Sequence, residues 1–347
     1  MKLAAVLATA IGLAVIATLV GHFGVGAVVR SLLAIGAGGF AAICLIHLGL
    51  IAAMGIAWWL LLPGTSPWIS IWARLVRDSA SEVLPLSQVG GYVLGARALA
   101  LGGVAGNTAT ASTIVDVTLE LFAQIAYTAI GLLWLLRLAP HMRAVLPAAG
   151  GLVLAVILAG GFLFAQRHGF GALDRLAGAL GRGWTDRTAA GAAALHAGIA
   201  EIYARSAAAW GSFVVHLVCW VASVGEIWLA LRLIGSPRGI GVVLIIESLL
   251  YALRSAAFAV PNAVGVQEVG YLLLGAGFGL APDTALALSL LKRGRDFAIG
   301  LPVLGIYQLI EGRRLWRRAP RAAIVETTAP GAIWSGAASP PPNLGSH

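Results

Sequence analysis

Residues 254–275 read R-S-A-A-F-A-V-P-N-A-V-G-V-Q-E-V-G-Y-L-L-L-G, and after a second apolar run residues 290–296 read L-L-K-R-G-R-D. Arg254, Asn262, Gln267, Glu268, Lys292, Arg293, Arg295 and Asp296 thus crowd into a chain that is 59% hydrophobic and only 11% charged. Each such group is costly in hydrocarbon, so a cluster of them faces a protein interior or a wet cavity. Pro261 and Gly265 also interrupt what is otherwise a spanning helix. Broken backbone at membrane depth is tolerated only inside protein or along water. The stretch therefore reads as one half of a polar site near the bilayer midplane.

Working outward, the composition of all 347 residues fixes the class. Soluble domains carry about 25% charged residues; this chain is an all-α polytopic membrane protein. Its net charge of +9 does not indicate nucleic acid. Much of the arginine lies within 166–205 and 313–321, where basic clusters flanking apolar spans mark cytoplasmic sides and contact anionic lipid. Cys44 and Cys219 both sit in apolar runs and read as small core residues. No zinc or haem spacing and no G-x-x-x-x-G-K-[ST] loop occurs, so no metal or cofactor is expected.

The other half of the site is sought upstream. Residues 82–95 read E-V-L-P-L-S-Q-V-G-G-Y-V-L-G. Like 261–275, this segment runs Pro, Gln, Gly-Tyr and a further Gly, with three residues fewer after the proline. Downstream, Thr113, Asp116, Glu120, Gln124 and Tyr127 recur at gaps of 3, 4, 4 and 3, which puts them on one helix face. A shift of 176 residues lays Asp116 over Lys292, Glu120 over Asp296 and Thr113 over Ser289. Paired Gly/Pro-interrupted segments in two halves point to a transporter-type binding site. The opposite charges predict that Asp116/Glu120 meet Lys292/Arg295.

The expected architecture is seven or eight transmembrane helices with two broken re-entrant segments, near residues 82–95 and 254–275. These belong to an internal repeat, parallel or inverted, with halves at about 33–138 and 240–312. Residues 1–314 form a single integral membrane domain. Leu3–Val20 reads as a retained first helix rather than a signal peptide. Residues 68–79, W-I-S-I-W-A-R-L-V-R-D-S, read as an amphipathic helix lying in the membrane surface. Residues 166–205 form a cytoplasmic helical connector. Residues 315–347 are a disordered basic and Pro-rich tail, and the five arginines between 313 and 321 place the C-terminus in the cytoplasm.

The Arg254–Tyr271 motif, P-L-S-Q-V-G-G-Y-V-L-G and the final K-R-G-R-D resemble the hopanoid biosynthesis-associated membrane protein family HpnL. That family lies within the group similar to the flippase-like transmembrane region of lysylphosphatidylglycerol synthases. The resemblance covers roughly residues 1–320. It implies movement of a membrane lipid, hopanoid or phospholipid, between leaflets of a bacterial cytoplasmic (inner) membrane, with hopanoid-synthesis proteins as candidate partners. Lysyl-transferring members carry a large cytosolic aminoacyltransferase domain after the membrane part. Only a tail follows Arg313 here, so synthase activity is not expected.

The candidate substrate-binding residues are Glu82, Gln88, Asp116, Glu120, Arg254, Asn262, Gln267, Glu268, Lys292, Arg295 and Asp296. Each has a structural alternative. Asp116 and Glu120 are either a helix-holding ion pair or a headgroup- or proton-binding pair. Arg254, Lys292, Arg293 and Arg295 either meet an anionic headgroup or pair with Glu247, Glu268 and Asp296. Gln88 and Gln267 either satisfy broken backbone or bind cargo. His47 reads as a satisfied core residue. A membrane scaffold for lipid synthesis and an integral-membrane lipid-modifying enzyme are the competing functions. Against the enzyme stands the lack of an Asp-rich diphosphate motif, of H-E-x-x-H and of a clear nucleophile–base pair.

Overall fold

A computed structural model describes residue 18 and residues 25–84, 87–142, 145–168, 185–257, 260 and 263–327. Ten α-helices follow one another: α1 Val25–Leu60, α2 Pro67–Val83, α3 Ser87–Leu101, α4 Gly106–Leu138 and α5 Val145–His168. They continue as α6 Thr185–Ala204, α7 Ser206–Leu233, α8 Ile240–Ala256, α9 Val266–Ala276 and α10 Pro282–Thr327. Helix α1 is kinked at Gly36. The chain divides into two compact units, Met1–Leu304 and Gly305–His347. The first holds every feature described below. The second holds the last part of α10.

Among the described residues four helices are long and apolar enough to cross a membrane: Leu32–Leu60, Gly106–Leu138, Val145–Arg167 and Ser206–Leu233. The expected count of seven or eight included Leu3–Val20, most of which lies outside the described residues. It also included α8, whose 17 residues reach about 26 Å at 1.5 Å per residue, short of a hydrocarbon core of about 30 Å. Helix α10 carries the charged run Lys292–Asp296. The connector expected at 166–205 contains α6, while residues 169–184 lie outside the described part. The tail expected from 315 begins on α10, which continues to Thr327.

Two breaks fall where the proline segments predict them. Helix α2 ends at Val83 and α3 starts at Ser87; α8 ends at Ala256 and α9 starts at Val266. Pro85, Pro261 and Asn262 themselves lie outside the described residues. In both cases the shorter helix packs back on the one before it, α3 on α2 and α9 on α8. Both close approaches run through the glycine of a Gly-Tyr step. A Cβ on Gly91 would stand 2.6 Å from the Arg77 carbonyl oxygen, and one on Gly270 would stand 2.5 Å from Leu250 Cδ1. Small residues allow backbones this near.

The apolar core joins α1, α4, α7, α8, α9 and the start of α10, with Tyr127, Trp220 and Tyr271 at its centre. Trp220 stacks on Tyr127 at 6.0 Å and meets Tyr251 edge-on at 4.4 Å. Offset and edge-to-face contacts of this kind favour aromatic pairs beyond their buried area. A second link is polar: Gln166 of α5 donates to Thr118 of α4 at 2.8 Å and accepts from Tyr203 of α6 at 2.9 Å.

Helix α2 corrects an expectation. Its arginines do not turn outward as on a surface helix; Arg74 and Arg77 are each 3% exposed and point into the protein. Buried guanidinium groups persist only when paired and hydrogen-bonded, and α4 supplies the carboxylates.

Candidate functional site

The site is built from charges on facing helices. Arg74 grips Glu120 through both guanidinium nitrogens, Nη1 to Oε2 at 3.0 Å and Nη2 to Oε1 at 2.7 Å, while its Nε donates to Asp78 at 2.8 Å. Arg77 donates to Asp116 Oδ2 at 2.6 Å and also to Glu120. Its guanidinium lies over the Tyr92 ring at 4.9 Å. His216 of α7 meets the other Asp116 oxygen at 3.0 Å. Planar fork-to-carboxylate geometry of this kind is the strong form of charge pairing.

The hairpins are α2–α3 and α8–α9; the first pairs cations with acids of α4, the second an acid with a cation of α10. Glu247 of α8 accepts from Lys292 of α10 at 2.8 Å and from the Tyr271 hydroxyl of α9 at 2.5 Å. The Lys292 ammonium also lies 4.8 Å from the Tyr251 ring centre, within cation–π range. Arg295 donates to Glu226 of α7 and, at 2.7 and 3.0 Å, to Asp296. His47 of α1 contacts the other Glu226 oxygen at 3.1 Å.

A contact of Arg254 joins the two hairpins. Arg254 of α8 donates to both oxygens of Glu82, at 2.9 and 3.0 Å, and to Gln267 at 2.9 Å. Glu82 lies at the end of α2, just before one break, and Gln267 at the start of α9, just after the other.

A cavity of about 340 Å³ lies between these groups. Of the expected site residues, Glu82, Gln88, Glu120, Arg254, Lys292, Arg295 and Asp296 line it. Asp116 stands behind the arginines and is fully buried. Gln267 and Glu268 brace the second break. Gln267 donates to the Ser289 hydroxyl at 2.8 Å, and Glu268 accepts from Ser289, Arg293 and the Gly265 backbone N–H at 2.9, 2.7 and 2.8 Å. Asn262 lies outside the described residues. Among the described residues no three His, Cys, Asp or Glu side chains gather as a metal set.

Two expected pairings are corrected. Asp116 and Glu120 meet Arg74 and Arg77, not Lys292 and Arg295. Lys292 finds its acid on α8, Arg293 on α9, and Arg295 on α7 and α10 itself. Arg254 is also not left to Glu247 on its own helix; it binds Glu82 across the cavity. Sequence reading missed Arg74, Arg77 and Asp78, and did not place Glu226 or His47 at the site. One usable signal existed. Arg74 and Arg77, one turn apart, match Asp116 and Glu120, also one turn apart, in spacing and sign. His47 is satisfied, as expected, but at the cavity wall.

Comparison with curated proteins gives no match, and comparison with solved structures gives none either. A family model described as the lysylphosphatidylglycerol synthase TM region matches residues 5–303, nearly the whole of the unit that carries the apolar helices and the charged cavity. The chain is a multi-pass membrane protein of the lysylphosphatidylglycerol synthase TM region family, a flippase-like family.

Proposed function

We propose that the protein moves a polar lipid, hopanoid or phospholipid, between leaflets, holding the headgroup in the cavity between the two hairpins. The carrying observation is the cavity itself, whose wall draws charged side chains from α2, α4, α7, α8 and α10. A cavity that only packed helices together would be apolar. Helices α3 and α9, with 15 and 11 residues, reach about 22 and 16 Å at 1.5 Å per residue, too short for a hydrocarbon core of about 30 Å. Each hairpin therefore enters and leaves on one side, as a re-entrant element. Hairpin plus long helix is the repeating unit, α2–α3–α4 and α8–α9–α10. Broken helices in matching halves, with a site between them, suit alternating access.

Arg254 is the contact for the phosphate. A guanidinium fork fits phosphate as well as carboxylate. Its partner Glu82 is 31% exposed and so more readily displaced than the buried acids. The resemblance of the Arg254–Tyr271 motif to the hopanoid-associated family supports a hopanoid-related cargo in a bacterial inner membrane. The test is transfer of fluorescently labelled phospholipid, and separately of a polyhydroxylated hopanoid, in vesicles containing the purified protein. Transfer by the wild-type protein, lost in Arg254→Ala at unchanged thermal stability, supports the reading. No transfer of either lipid overturns it.

A further inference from the structure

The cavity charges fall into sets, and two of them carry one acid in excess. Lys292 neutralises Glu247 and Arg254 neutralises Glu82. Around Arg74 and Arg77 stand Asp78, Asp116 and Glu120, one acid in excess, but Asp78 is 24% exposed and reaches the cavity. Arg295 is bonded to both Glu226 and Asp296, and both of these acids are buried. An uncompensated buried carboxylate is costly. The missing charge has one candidate beside it. His47 places Nδ1 3.1 Å from Glu226 and Nε2 4.0 Å from Asp296, so an imidazolium there faces a carboxylate at each nitrogen.

His216 provides the contrast. Its Nε2 meets Asp116, but its Nδ1 is buried with no hydrogen-bond partner among the described residues. A protonated His216 would bury an unsatisfied N–H, whereas the neutral ring leaves only an unused lone pair. His47 also lines the cavity, and its side chain is 23% exposed, so protons can reach it. The groups that face it are Glu226 from α7, Lys292, Arg295 and Asp296 from α10, and Cys44 one turn earlier on α1. Arg74, Asp78, Glu120, Glu247 and Arg254 stand on other walls of the same cavity.

We propose that His47 is a proton-binding side chain of the cavity and that its protonation is coupled to lipid passage, which makes the protein a proton-coupled lipid carrier. The inference rests on the lipid-moving reading above. With His47 protonated, Glu226 and Asp296 are each shared between two cations and the cluster is neutral. Loss of the proton leaves one excess negative charge against Arg295. That charge loosens the hold of α1 on α7 and α10 until a proton returns from the opposite side.

Two measurements test it. Histidine-labelled protein in lipid nanodiscs is followed by NMR, with His47 assigned by its loss in His47→Gln. The expected result is passage from the protonated to the neutral ring as the pH is raised. A single protonation state throughout overturns the proposal.

In the second, vesicles of phosphatidylethanolamine and phosphatidylglycerol carry trace labelled phosphatidylethanolamine and an imposed gradient of about one pH unit. At one proton per lipid, the labelled lipid shifts its transbilayer ratio by about tenfold. In His47→Gln, and in His47→Arg, where a fixed cation holds both carboxylates and keeps the fold, the shift falls to about one. Transfer by the wild-type protein with no gradient response overturns the coupling alone. No transfer in the wild type overturns the lipid-moving reading, and the coupling with it.

Discussion

Arg74 and Glu247 occupy the same step of two successive hairpins with opposite charge. Arg74 lies seven residues after Pro67, the first of α2, and Glu247 seven after Ile240, the first of α8. Each binds the long helix that follows, Arg74 at Glu120 and Glu247 at Lys292. Asp116 and Lys292 in turn lie ten residues into α4 and α10. Gln88 and Gln267 are each the second residue of the short helix, and Tyr92 and Tyr271 each the sixth. Both tyrosines meet the charge of their own hairpin: Tyr92 lies under Arg77, and Tyr271 donates to Glu247. The two hairpins thus carry sets of charges of opposite sign, and a cavity lies between them.

Breaking one of these pairs strands its partner in the core. Glu247→Gln leaves Lys292 without its carboxylate, and Lys292→Met leaves Glu247 without its cation. Removing one member of a buried pair costs about 3–5 kcal/mol, whereas replacing both with apolar groups is often near neutral. Each single variant is expected to lower the unfolding midpoint in detergent clearly. The double variant Glu247→Leu with Lys292→Met is expected to recover most of that loss. A double variant as unstable as the worse single would mean that the Tyr271 hydroxyl, left alone, dominates.

Glu82 differs, because it is partly exposed to the cavity. In Glu82→Gln the guanidinium of Arg254 keeps Gln267, so stability is expected to change by less than about 1 kcal/mol, as for solvent-reached pairs. Arg254 then holds a phosphate without competition. The expected result is tighter retention of labelled phospholipid and slower transfer, read together from lipid co-purification and the vesicle assay. Faster transfer would remove Glu82 from competition with the headgroup.

The breaks were legible because proline and glycine act locally. Pro85, Pro261 and the Gly-Tyr steps mark the ends of α2 and α8 and the crossings of α3 and α9 without any tertiary knowledge. The polar face of α4 was legible through helical period. Partner choice was not. Lys292 and Asp116 fall together under the 176-residue shift and have opposite signs, so sequence alone favours pairing them. The fold instead gives each an internal partner from its own hairpin, because the first helix of a hairpin lies nearer to its following long helix. Helix α2 misled for a related reason. A Trp- and Arg-rich amphipathic pattern suits a membrane surface and an inward-facing charged groove equally well, and only the carboxylates of α4 decide between them. His47 carried no local signal, since its acids come from α7 and α10, far along the chain.

The glycine at each hairpin crossing is a packing requirement. Gly91→Ala drives a methyl against the Arg77 carbonyl, and Gly270→Ala against Leu250. Overpacking of this kind costs about 1–3 kcal/mol. Backbone yields less than a leucine tip, so Gly91→Ala is expected to lower the unfolding midpoint more than Gly270→Ala. Gly150→Ala on α5, where nothing stands within 4 Å, is the control and is expected to be neutral. Equal effects at all three positions would show that close approach does not set the cost.

Alternating access requires the second hairpin to move against α4, and one contact reports on that motion directly. The Ser255 hydroxyl of α8 donates to the Gln124 side chain of α4 at 3.4 Å, and both residues line the cavity. In a background with Cys44→Ala and Cys219→Ala, the pair Gln124→Cys and Ser255→Cys is expected to cross-link with a short bifunctional thiosulfonate. If the hairpin rocks during transport, the tied protein stops moving labelled lipid, and reductant restores transfer. The single cysteine variants, treated identically, show neither block nor recovery, which separates tethering from chemical modification. A protein that only scaffolds other lipid enzymes has no need of this motion. Its support of lipid synthesis in cells would survive the cross-link, and unchanged transfer in the tied protein would place the moving boundary elsewhere than between α4 and α8.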